Sequence, residues 1–488
     1  MMRTNDQSPL VVYASRCGAK LDSDVHHGGG TDDTLALQSV LDEAPRLGSL
    51  RLVMDGAALV RGLDVHSNTT IECLNPACGF FLAAGSDRSI LRNAHPRKAQ
   101  ILDRNITLLG GTYNHNCLHQ KHHLDDNTWV VTLAFHGVEC LTMRDVTIRN
   151  QRTFAMLLTN WRRITMENIY IDLPDKIPFG NQDGIHIQGP GQFLTMRNIQ
   201  GCSWDDFIAI NADDVNAALD EHGNLSWNDA LGPDASYGSV SDVLIDGVIL
   251  NDAAQGIRLL TRGSRLDRIV ISNVIGTYRS FGFYISPWLA QDPAQKVKQG
   301  GNFGHIIFDT VDLRHTAPNY DCTPPFLFHL DGRIDSLTIR NLHHHEPIDP
   351  RPLVHVLKDA RVGALTVNGL HISETGPEAA DARYLTIDGA VDDLTVRGAD
   401  IRRGAHVPIK GSLIGIGRGA EDAAVGRIRL SDVSVRRMDS LVSQAAGKVG
   451  TVQMANVLAE DMGRTLVRHD GGAMGHVLAD GVHGARPV

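Results

Sequence analysis

One short pattern recurs along this chain and narrows the possible folds more than any other feature. Two apolar residues flank a polar one, then comes Asn, Asp or Gly, then another apolar residue. It reads NITLLGG from Asn105, CLTMRDVTI from Cys140, RITMENIYI from Arg163, FLTMRNIQG from Phe193, DVLIDGVIL from Asp242 and RIVISNVIG from Arg268. The series continues with SLTIRNLHH from Ser336, ALTVNGLHI from Ala364, DLTVRGADI from Asp393, RIRLSDVSV from Arg427 and TVQMANVLA from Thr451. Its first apolar position falls at Leu141, Ile164 and Leu194, and again at Leu337, Leu365, Leu394, Ile428, Val452 and Val477. The steps are 23 and 30, then 28, 29, 34, 24 and 25.

Short strands at that period, with no helical periodicity between them, predict an all-β chain: a single-stranded right-handed parallel β-helix. A leucine-rich repeat of similar length would need a fixed L-x-x-L-x-L frame, which is absent. A second set of apolar runs alternates with the first, at TFAMLL (Thr153), DGIHIQ (Asp183), DFIAIN (Asp206), GIRLLT (Gly256), GFYISP (Gly282) and FLFHLD (Phe326). These read as one strand on successive coils, about 4.8 Å apart, so their outward residues form columns on one face.

The N-terminal end reads as a solenoid cap. TDDTLALQSVLDEA pairs Ala36 with Val40 and Leu37 with Leu41 at i, i+4, which predicts a capping helix with Thr31 or Asp32 as N-cap. The expected organisation is a tail over residues 1–10 and one β-helix over 11–488. Residues 11–75 form its cap region and 141–290 its chemistry-bearing coils. The longest interruptions, 213–238 and 289–302, are expected to wall a site.

Composition excludes several partner classes. Forty-six basic against 56 acidic residues give a net charge of −10, which argues against nucleic acid as a partner. No apolar run is long enough to span a membrane. The N-terminus lacks a basic-then-apolar leader, so the chain reads as cytoplasmic, or as secreted or periplasmic if a signal was removed. Seven scattered cysteines do not suggest a disulfide framework. The histidines at 115, 119, 122 and 123, and at 343–345, match no zinc spacing and read as loop residues. No metal or cofactor is expected, and oligomeric state is open.

Polar residues are densest in two adjacent coils, GNQDGIHIQG with Asn181 and Asp183, and WDDFIAINADD with Asp205, Asp206, Asn211, Asp213 and Asp214. Asp183 and Asp206 each precede the same strand, 23 residues apart. Like charges about 5 Å apart repel, so a protonated carboxyl and an ionised one coexist at neutral pH, as glycoside hydrolysis requires. Turn formation by stacked Asp and Asn is the simpler rival reading.

The ordered motifs resemble glycoside hydrolase family 28, the polygalacturonase-like group of the pectin-lyase fold. They are Gly18-Ala19-Lys20, Thr31-Asp32-Asp33-Thr34, Ser67 to Thr70, Asn181-Gln182-Asp183-Gly184, Asp205-Asp206, and Arg258-Leu259-Leu260 where the family has Arg-Ile-Lys. The resemblance implies Asp205 as general acid, with Asp183 and Asp206 holding and deprotonating the water. Inversion would place the carboxyls about 6.5–9.5 Å apart. It also implies an oligo- or polysaccharide partner bound by Arg258, with His222 standing nearest to the family's Gly-His-Gly. Asn181 and Asn211 are further candidate substrate contacts, as is His186 on the Asp183 strand, which reads equally well as a structural histidine. Tyr284 and Trp288 are candidates to stack on a sugar. Leu260, taken as an outward neighbour of Arg258, points to a substrate that is neutral or carries a single uronate at Arg258, unless Arg262 or Arg265 replaces the missing lysine. The rival functions are a lyase or fructotransferase of the same fold, for which Asp213 and Asp214 would bind calcium, and a non-catalytic carbohydrate-binding β-helix.

Overall fold

The recurring apolar positions become vertical columns. The structure, a computed structural model, describes residues 10–484 apart from 98–99, 122–129, 178–180, 214–217, 220–224, 227–235, 288–299, 317–325, 346–351, 375–382 and 464. Its contacts divide it into two compact units, Met1–Ala254 and Gln255–Val488.

In the first unit the strands Leu133–Arg144, Met156–Asp172 and Gly191–Gly201 and the part of Val240–Leu260 up to Ala254 run parallel. Leu141 lies beside Ile164, Ile164 beside Leu194, and Leu194 beside Val243, all buried. In the second unit Ile306, Leu337, Leu365, Leu394, Ile428, Val452 and Val477 continue one such column. The recurrence in the sequence is therefore the inward column of a right-handed parallel β-helix. Each coil buries its apolar residues against those of its neighbours, and this drives the stacking.

The Asn, Asp or Gly that follows each apolar triplet marks a corner. Asp145, Asn168 and Asn198 take φ of 57°, 54° and 53°, and Gly247 takes 77°. The left-handed region is open to Gly and costs least among the others for Asn and Asp. Asn168 donates its side-chain amide to Asp145 at 2.8 Å, and Asn198 donates to Asn168 at 3.0 Å. Turn formation by stacked Asn and Asp is thus the right reading of this column, which runs along a different corner of the coils from Asp183 and Asp206.

The capping helix runs over Thr34–Leu41 and buries Leu37 and Leu41. Its N-cap is Asp33, neither Thr31 nor Asp32. The displacement has a local cause. The Asp32 carboxylate accepts from both the backbone N–H and the hydroxyl of Thr34 (3.0 and 2.5 Å), and Asp33 turns away to accept from the N–H groups of Lys20 and Leu21 (2.6 and 2.9 Å). No disulfide joins the described cysteines, and among the described residues no helix is long and apolar enough to cross a membrane.

Candidate active site

The second strand set positions the acidic residues. Ile185–Gln188 lies between Met156–Asp172 and Asp206–Asn211, with Ile185 beside Ile208, His186 beside Ala209 and Gln188 beside Asn211. That register carries Asp183 and Asp206 to equivalent places on adjacent coils. Gly184 permits the approach, because a Cβ there would overlap the carbonyl oxygen of Phe207. Its N–H donates to the Asp206 carbonyl at 2.8 Å.

Asp183 and Asp206 are buried and Asp205 is half-exposed. One carboxylate oxygen of each lies within 4.8 Å of those of the other two. This is tighter than the spacing of about 6.5–9.5 Å expected from an inverting pair. The coil spacing sets it: residues at one register position on neighbouring coils sit about 4.8 Å apart unless their side chains splay. Three oxygens so disposed form a rim that can hold a water, a proton or a cation on one side.

The backbone beneath the rim is pinned. Gln151 donates its amide to the Asp183 carbonyl at 3.1 Å, and Gln182 donates to the Gln151 carbonyl at 2.8 Å. Asn181 is half-buried at φ 47°, and its carbonyl accepts from the Asp183 N–H at 3.1 Å. Beside the rim the Lys176 ammonium lies 4.7 Å from the Trp204 ring centroid.

His186 is 4% exposed. Its Nδ1 lies 2.7 Å from an Asp183 carboxylate oxygen and its Nε2 lies 3.2 Å from the Asn211 amide nitrogen. A neutral ring with its proton on Nδ1 satisfies both contacts, donating to Asp183 and accepting from Asn211. Phe154 stacks on it, centroids 4.2 Å apart and planes 6° apart. His186 and Asn211 were expected to touch sugar; in the structure both are buried, His186 against Asp183 and Asn211 against His186. The sequence pattern did not single out Phe154, although 29 residues, one coil by the Leu157–His186 register, separate it from Asp183.

The other expected residues fall elsewhere. Asp213 is buried, while Asp214, His222 and Trp288 lie outside the described residues. Arg258 and Tyr284 belong to the second unit, where the Arg258 guanidinium sits 5.4 Å from the Phe281 ring centroid and 5.5 Å from that of Tyr284. Tyr284 also stacks on His329 at 5.3 Å. Burial, with Asp331 adding to it, pushes the Tyr284 phenol above its ordinary pKa. Leu260 is fully buried, so it is not the outward neighbour from which a neutral substrate was inferred. Arg265, a possible replacement for the missing lysine, is held by Asp335 at 2.7 Å and Asp267 at 3.3 Å. His115 lies in a connection between elements but is fully buried. It accepts from the Arg152 N–H at Nδ1 and contacts the Arg88 carbonyl through Nε2, and burial pushes its pKa down to about 4.

Residues 105–274, which contain all three aspartates, match the family model for glycosyl hydrolases family 28. This is a glycoside hydrolase whose residues 105–274 are similar to family 28. A polygalacturonase of Persea americana is 25% identical to it over 323 residues, covering 61% of this chain and 68% of its own. The solved family 28 exopolygalacturonase of Yersinia enterocolitica aligns over 99% of this chain and 79% of its own, with TM-score 0.51 at 12% identity. The N-terminal fragment of bacteriophage Phi29 gene product 12 aligns over 98% of this chain and 72% of its own, with TM-score 0.52 at 15% identity. At those identities the solved structures speak for the fold alone; the family match carries the chemistry. Inversion of the anomeric centre is typical of that family, and neither the lyase nor the non-catalytic reading is favoured.

Proposed function

We propose that this hydrolase cleaves the bond between galacturonate units of a pectin-type polysaccharide, with Asp205 as general acid and Asp183 and Asp206 as the water-holding pair. The observation that carries the reading is the rim of three carboxylates on two adjacent coils, within 4.8 Å of one another. The half-exposed Asp205 delivers its proton to the glycosidic oxygen as the bond from C1 to that oxygen breaks. A water held by Asp183 and Asp206 attacks C1 from the opposite face and gives up its proton to that pair. The mechanism needs one protonated donor and one ionised acceptor among the three. His186, donating to Asp183, leaves that carboxylate's other oxygen for the water.

The acidic substrate is supported by the Persea americana relative and by the burial of Leu260, which removes the argument for a neutral sugar. Arg258 is carried over from the family motif as the residue that binds the substrate's carboxylate or hydroxyls. Incubation with galacturonate oligomers and with neutral galactose oligomers tests the reading: products should form from the acidic series and disappear with Asp206→Asn. Turnover of the neutral series alone would refute the proposed substrate.

A further inference from the structure

A groove of about 700 Å³ in the second unit is lined by Arg262, Arg333, Lys358 and Arg361 together with Asp359 and Asp422. A basic groove runs against the chain's net charge of −10, and none of these residues takes part in the hydrolysis described above. Arg333 and Arg361 open the strands Arg333–His344 and Arg361–Glu374 and face each other in register. Both are exposed. Like charges directly opposite on neighbouring strands are destabilising.

Elsewhere on this unit the coils avoid that cost by pairing charges. Arg340 meets Asp309, Arg397 meets Asp432, and Arg427 and Arg429 share Asp393. Among the described residues, none places a carboxylate within 4.0 Å of the cationic groups of Arg333, Lys358 or Arg361. Arg333 is oriented without being neutralised. It donates to the side-chain oxygen of Asn302 at 3.3 Å, which also accepts from Arg265 at 3.2 Å. The turns between these strands contribute backbone to the lining. Gly332, at φ 77°, would bring a Cβ within 2.8 Å of the Gly300 carbonyl oxygen, so no side chain covers the groove at that turn.

We infer that this groove is a second saccharide site, one that binds a carboxylate-bearing oligosaccharide through Arg333, Lys358 and Arg361. The inference rests on the galacturonan reading of the hydrolase. A guanidinium fork matches a carboxylate bidentately, and a bound carboxylate removes the repulsion between the two in-register arginines. The cavity has the size of a small-ligand site rather than of a single ion. Asp359 and Asp422 offer acceptors to sugar hydroxyls. Two carboxylates among the cations, and no aromatic residue in the lining, disfavour a nucleic acid strand.

The test uses the full chain with Asp206→Asn to block turnover, titrated calorimetrically with a galacturonate hexamer. Two binding events are expected, one of them weakened by salt. Arg333→Ser with Arg361→Ser on the same background should weaken that event about tenfold or more. With Asp206 restored, the double variant should cleave a galacturonate dimer at the wild-type rate. Because the substitutions relieve repulsion, the double variant's Tm should equal or exceed that of the parent. The inference is overturned if the salt-sensitive event survives in the double variant, or if a neutral galactose hexamer produces it equally. It is overturned too if inorganic phosphate binds there as tightly as the hexamer, or if the Tm falls by more than a few degrees. Failure of the hydrolysis reading shows separately, as absence of product with the salt-sensitive event intact.

Discussion

At Asp183 three demands meet on one side chain: it must lie beside Asp206, accept from His186 and face a water. The first is met by Gly184 and the 23-residue register, the second by the 2.7 Å contact with a buried ring clamped between Phe154 and Asn211. Asp183→Asn, Asp205→Asn and Asp206→Asn should each lower kcat by about 10² to 10⁴, with Tm within a few degrees of wild type, since each keeps the shape of the side chain. His186→Ala should behave differently. Removing a group that positions a base should lower kcat at least about tenfold with KM nearly unchanged, and His186→Gln, which retains a donor, should recover part of the loss. A rise in KM at constant kcat would assign His186 to sugar contact instead. The aspartates were legible in the sequence because their spacing equals one coil. The support role of His186 was not, since a histidine on a strand does not reveal which of its faces is covered.

At the scale of the coil, the corner decides the register. Asn198 takes a left-handed φ of 53° and hands its amide to Asn168, while the next corner is Gly247. Asn198→Ala should destabilise by about 1–2 kcal/mol, losing a hydrogen bond and placing a Cβ-bearing residue without local compensation in the left-handed region. Asn198→Gly should cost about half as much, because Gly accepts the conformation; urea denaturation of the two variants separates the contributions. Equal losses would mean that the ladder bond alone matters. These corners explain why so much of the fold could be read from the chain. The columns through Leu141, Ile164 and Leu194 and through Leu337 to Val477 are the sequence period itself. The capping helix was placed correctly, but its N-cap was not, because the choice between Asp32 and Asp33 depends on Lys20 and Leu21, residues distant in sequence. Leu260 failed for a related reason: alternation along a strand cannot tell an outward residue that is solvated from one that is covered.

For the molecule as a whole, buried histidines set an acid limit. His115 and His136 are buried and their pKa values are pushed down to about 4, by desolvation first and by nearby arginines, Arg152 and Arg92, in addition. The unfolded chain, with histidine near 6.5, binds protons that the folded chain refuses. Stability from these two groups is therefore complete above pH 6.5, declines as pH falls from about 6.5 to 4, and levels off below. Each contributes on the order of 2–3 kcal/mol over that window. Thermal melts across it should show the decline, and His136→Asn should reduce it by about half; a pH-independent Tm would contradict the burial of both rings. The chemistry faces a more direct test. Proton NMR during hydrolysis of a galacturonate oligomer reports the anomer of the first product before mutarotation. Attack by a water on the Asp183–Asp206 side while Asp205 protonates the leaving oxygen predicts the anomer opposite to that of the cleaved bond, formed about 10² to 10⁴ times more slowly by Asp205→Asn. A first product that keeps the configuration of the cleaved bond would contradict the account.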